Sequence, residues 1–314
     1  MKTKSRIAIL FLLLFFIGLT APGLTRALET ASFVVRDLTG QLSNEQLQRL
    51  TTSAEQKLGK ILNFWDMDLG VERQGKIRLE FETPRGGGTY AAVYLMMRDG
   101  DRRVRVVRIY GVTDEPEMVA HKLTHAVFHT EDKLVRNMMG IPMEVRFGNP
   151  LTFPMCGFSH DEWVRVFRKN NSFIPLSEFG PNHEQWGMTT RDGVPFVLDK
   201  AKQHIMYAES GSFGNFLLNS YGPGKVKRFF KLAGGKNRPW NEAFGASLAE
   251  LEAKWLQALD SSQKTDEANM KVLLKMVQSD PDTACSQAQE LSGKKTSFSP
   301  AGPSQMMPGR KKAR

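Results

Sequence analysis

A chain of 314 residues, 41% hydrophobic and 24% charged, is long enough to bury a sizeable core. Its net charge of +10 would suit a nucleic-acid partner, but the excess lies at the two ends: Lys2, Lys4, Arg6 and Arg26 within residues 1–27, and Lys294, Lys295, Arg310, Lys311, Lys312 and Arg314 within 293–314, neither stretch holding an acid. The body between them is close to neutral, and its cluster Asp101-Arg102-Arg103-Val104-Arg105 alternates like an exposed strand face, so no nucleic-acid partner is expected.

In chain order, the basic start is followed by an apolar run from Ile7 to Leu19 and then small residues, with Ala27 as the cleavage point. A positive n-region before a short apolar stretch reads as a secretory signal over residues 1–27, with an uncleaved anchor as the alternative. A membrane span needs roughly 20 apolar residues, and this run is shorter. The mature chain should therefore be exported, periplasmic or secreted, with no transmembrane span. In that compartment Cys156 and Cys285 form one disulfide or remain two unrelated thiols.

Ala31 to Leu38 reads as a strand. Ser43 to Leu62 reads as an amphipathic helix capped by Ser43, with Leu47, Leu50, Ala54, Leu58 and Leu62 on one stripe. Lys76 to Glu82, Tyr90 to Met97 and Arg103 to Tyr110 read as strands, the last two joined through Asp99-Gly100. A helix is expected from Asp114, with Pro116 in its first turn and Glu117 completing a capping box. Gly and Pro then punctuate residues 140–157. Further helices are expected at Asp161–Lys169, Ile205–Tyr221, Lys225–Leu232 and Leu248–Leu259. Residues 28–260 read as one domain in two lobes, and 261–314 as a polar, basic, disordered tail.

The segment with chemical content is His121-Lys122-Leu123-Thr124-His125. Histidines at i and i+4 share a helix face, and neutral imidazoles suit zinc. His129 extends the stripe but lies about 12 Å along the axis from His121, too far to join the same ion. Where a zinc peptidase needs a glutamate to take a proton from metal-bound water, this helix has Lys122.

Around it the chain reads MVAHKLTHAVFHT, then Pro142-Met143-Glu144-Val145-Arg146-Phe147-Gly148, then Ile174-Pro175-Leu176, a helix from Tyr207 to Gly222, and Gly245 to Trp255. From Asp114 to about Leu259 this order resembles the gluzincin-type metallopeptidases, in particular the peptidase-MA-like domains of exported bacterial proteins. The resemblance implies an α+β, zincin-like fold: an N-terminal mixed sheet with helices, the histidine helix at the floor of a cleft, and a mostly helical C-terminal lobe. It also implies His121 and His125 as zinc ligands and Lys122 at the general-base position. The third ligand falls on Phe147, or, in a second register, on Glu144, which follows His125 after eighteen intervening residues. Tyr207 and Tyr221 stand as oxyanion donors or as packing residues. The expectation is a catalytically degenerate protein, its zinc weak or absent, that binds a peptide, protein or cell-envelope ligand in the old cleft. The alternative is an active zinc peptidase using His121, His125 and Glu144, with Glu131 or Asp132 as base.

Overall fold

The computed structural model describes residues 26–83, 92–111, 116, 118–191, 194–233, 237–262 and 267–292. Strand β1 (Arg26–Glu29) pairs antiparallel with β2 (Phe33–Asp37). Helix α1 (Asn44–Trp65) and the single turn α2 (Val71–Gln74) lead into β3 (Ile77–Glu82), which lies parallel to β2. A two-residue turn, with Gly100 at φ 59°, joins β4 (Ala92–Asp99) to β5 (Arg102–Tyr110). The sheet order is β1-β2-β3-β5-β4, with β5 parallel to β3 and antiparallel strands at both edges.

One face of this mixed sheet carries Phe33, Val35, Leu79, Phe81, Val107 and Ile109, all buried. Alternation puts them on the same side, and α1 covers them with Leu47, Leu50, Ala54, Leu58, Ile61 and Trp65. The N-terminus of α1 is the expected capping box: Ser43 accepts from Gln46 N–H, and the Gln46 side chain returns to Ser43 N–H. On the opposite face, Arg78 and Arg108 converge on Glu80 at 2.7 Å each.

Helix α3 (Val119–Val127) packs against α1, β4 and β5 and against the next helix, α4 (Lys133–Phe147). It begins later than expected, after Met118 at φ 59°. The expected capping residues Asp114 and Glu117 lie outside the described residues. Pro142 sits inside α4 and does not lead it. A proline there leaves the Met138 carbonyl without its helical donor. Packed against that carbonyl is the buried Gly214, where an added Cβ would collide with Met138 O.

The remainder is mostly helical. It comprises α5 (His160–Lys169), a small hairpin of β6 (Met188–Arg191) and β7 (Val194–Val197), α6 (Lys200–Leu232), α7 (Trp240–Phe244) and α8 (Leu248–Ser261). The two helices expected between residues 205 and 232 are halves of α6, broken at Gly222 (φ 79°, ψ 160°) ahead of Pro223.

The tail expectation is corrected for residues 267–292. They form α9 (Glu267–Ser279) and α10 (Ala284–Leu291). Leu273, Val277, Ala284 and Ala288 are spaced to bury together, and they close a second core with Trp163, Val166, Phe167 and Ile205. Cys156 and Cys285 form a disulfide across 129 positions and fasten this hairpin to the body. The basic stretch 293–314 and most of the expected signal lie outside the described residues, while Arg26 and Ala27 belong to β1. No helix among the described residues is long and apolar enough to cross a membrane.

Candidate functional site

Both ends of α3 are held by charged side chains from other elements. Arg105 of β5 is buried, and its guanidinium donates to Ala126 O in the last turn of α3 (3.3 Å) and to Gly75 O (2.5 Å). At the other end Glu144 of α4 accepts from the His121 N–H at 2.8 Å, one of the donors that the first turn of a helix leaves unpaired. The second Glu144 oxygen accepts from Asn149 N–H at 3.1 Å. Burial raises the Glu144 carboxyl above its ordinary range, and these two N–H groups oppose the rise without cancelling it.

His121 and His125 are both buried, their ring centroids 4.2 Å apart and nearly perpendicular. The backbone of α4 lies directly against them at Gly140. A Cβ there would collide with His121 Cδ2 and sit 2.8 Å from His125 Nε2. Among the described residues, both ring nitrogens of His121 and Nε2 of His125 have no partner at hydrogen-bond geometry, Asn137 being the polar side chain that bears on His121. Burial first, and then nearby cations, hold both imidazoles well below their usual range, so they are neutral. Such rings are competent ligands.

The surroundings are cationic. Lys122 is buried and lowered to about 7, by burial first and then by Arg136, with Glu144 opposing. Lys133, also buried, donates to Tyr207 Oη at 3.0 Å and lies 5.1 Å and 4.8 Å from the ring centroids of Trp186 and Tyr207. Burial drives its ammonium well below the usual lysine range. Lys133 and Arg136 were not singled out in the sequence. In the run Asp132-Lys133-Leu134-Val135-Arg136 they look like ordinary helix-surface charges, and only the packing of α4 on α3 and α6 encloses them.

The other expected site residues divide sharply. Tyr207 comes within 6.2 Å of His121, ring to ring, and holds Lys133. Tyr221 is elsewhere, packed on Phe244 at 5.1 Å. Phe147 packs on Phe64 at 6.1 Å. Asp132 caps α4 through Val135 N–H and pairs with Arg238 at 2.6 Å, so it is engaged structurally and is not a poised base; Glu131 is exposed.

Among the described residues, the group that brings three candidate ligand atoms within 4.8 Å of one another is Cys156, His204 and Cys285, whose sulfurs are bonded together. Glu144 uses its carboxylate to cap α3 and to hold Asn149. The described residues offer a metal two neutral imidazoles, beside Lys122, Lys133 and Arg136 and a Glu144 whose two oxygens accept from backbone N–H groups. No family model matches the chain, and no curated protein matches it.

Proposed function

We propose that this chain is an exported, metallopeptidase-like protein with a zincin-like arrangement, one that has lost hydrolysis and acts by binding a peptide, protein or cell-envelope ligand. The observation that carries this reading is the state of Glu144. It is the acid at ligand spacing from His125, and it holds two backbone N–H groups in place of a metal. Lys122 occupies the general-base position in place of a carboxylate, and in its protonated form it repels a divalent ion. The disulfide between Cys156 and Cys285 fits an oxidising compartment.

A second reading keeps an active zinc peptidase using His121, His125 and Glu144. It is favoured by the three ring nitrogens without partners, since buried polar atoms ordinarily have them. Elemental mass spectrometry of the purified mature protein, beside a His121→Ala/His125→Ala variant, separates the two. The proposal expects substoichiometric zinc in both and no cleavage of a broad peptide library. Stoichiometric zinc lost in the variant, together with library cleavage abolished by His121→Ala, supports the peptidase.

A further inference from the structure

A separate feature lies at the opposite end of the sheet from the start of α3. Strand β5 pairs with β3 only from Val106 onward, so Arg102 to Arg105 run four residues past their parallel neighbour. The gap beside this overhang is bounded by α2 and by the starts of β2 and β3. It forms an open notch of about 1020 Å³.

Its lining is lopsided in charge, with seven cationic side chains against three carboxylates. Three of the cations are committed elsewhere. Lys76 pairs with Glu29 at 2.8 Å, Arg78 with Glu80 and Asp99, and Arg105 with backbone carbonyls. The other four, Arg36, Arg73, Arg102 and Arg103, have no ion pair among the described residues and line the same notch, Arg102 and Arg103 from opposite faces of the end of β5. Four guanidinium groups lining one open notch give it a positive field that favours an anion, screened by water where they are exposed. Six of the seven cations are arginine. Its planar fork meets phosphate oxygens two at a time, which a lysine ammonium does not.

We propose that this notch is a binding site for a ligand carrying two or more phosphate groups. It lies at the end of α3 away from His121, where Arg105 and His129 belong to its lining, and it requires no hydrolytic activity. The phosphates could be borne by a soluble molecule or by a lipid headgroup, and both meet the arginines in the same way.

The test titrates inorganic tripolyphosphate into the full chain by calorimetry. Two charge-reversal variants are compared: Arg73→Glu/Arg103→Glu in the notch and Lys311→Glu/Lys312→Glu in the basic tail. Arg73 and Arg103 are exposed, so the notch variant should keep the wild-type melting curve. The expected result is binding that weakens with added salt, falls roughly tenfold or more in the notch variant, and is unchanged in the tail variant. Sedimentation with phosphatidylglycerol vesicles then divides the sources: capture lost in the notch variant assigns the phosphate to lipid, and tripolyphosphate binding without capture assigns it to a soluble ligand. The proposal is overturned if neither probe binds, if the notch variant binds like wild type, if the tail variant loses the binding, or if citrate at the same ionic strength binds equally well.

Discussion

The molecule buries two pairs of histidines, and they live in opposite settings. His121 and His125 sit on one helix, against the backbone of α4 at Gly140, among Lys122, Lys133 and Arg136. His160 and His204 sit on α5 and α6 in an apolar pocket. There His204 is 4.4 Å from the Trp163 ring and 5.4 Å from Phe167, and its Nε2 bonds the Pro154 carbonyl at 3.0 Å. His204 lies beside the disulfide, and His160 has one ring nitrogen, Nε2, without a partner among the described residues. The first pair has three such nitrogens. The contrast teaches that burial and spacing do not make a metal site; the charges and acceptors brought in by the neighbouring helices decide it.

The largest effect should come from the second region. Replacing Cys156 and Cys285 by serine removes the link that holds α9 and α10 over Trp163 and Phe167, at a cost of about 2–5 kcal/mol. Urea unfolding measures the loss, and hydrogen exchange should locate the new opening in α9 and α10. Protection unchanged in both helices would mean that packing alone holds the hairpin.

In the first region, Gly140→Ala forces a methyl group into His121 and towards His125 Nε2. Both rings are buried and cannot move aside, so the expected loss is about 1–3 kcal/mol. His121→Ala opens that space, so adding Gly140→Ala to it should cost much less than Gly140→Ala alone. A cycle that is additive within about 0.5 kcal/mol would show that α4 does not bear on the histidine as described.

The two regions were not equally legible. The sheet, the Ser43 cap, the Asp99-Gly100 hairpin and the late helices follow from periodicity and turn chemistry, which act over a few residues. The pair at His121 and His125 was visible for the same reason. Glu144's actual role was not, because it depends on α4 crossing the first turn of α3, a tertiary fact. Lys133 and Arg136 were hidden likewise. Helices α9 and α10 were missed because their buried residues are few and spaced among lysines, serines and glutamines. The disulfide partner and a complementary core make them fold.

Acidification sharpens the comparison further. Burial lowers His160 to about 3, and His204 to about 4 despite the opposing bond to Pro154. Their folded values lie below the unfolded value near 6.5, so the native state binds fewer protons. The stability they contribute is therefore complete above about pH 6.5 and is lost as pH falls from there towards 4 and 3. At pH 5.5 each neutral buried histidine should have lost about 1.4 kcal/mol relative to pH 7.5. His204→Phe should reduce the fall in urea stability over that range by about one such increment. An unchanged slope would mean that His204 titrates in the folded state as it does in the unfolded chain.

The smallest effect is the most discriminating for the first pair. Glu144→Gln keeps the shape and one acceptor while removing the charge at the start of α3. If Glu144 is a cap, glutamine still accepts from His121 N–H and loses the second bond, costing about 1 kcal/mol. The zinc content, whatever its wild-type value, should not move. If Glu144 were a ligand, the carboxamide would bind metal far more weakly, and zinc would fall while stability without metal stayed nearly constant. A loss in stability with constant zinc therefore supports the cap, and a loss of zinc with constant metal-free stability supports the ligand, so one conservative change tests which role the carboxylate serves.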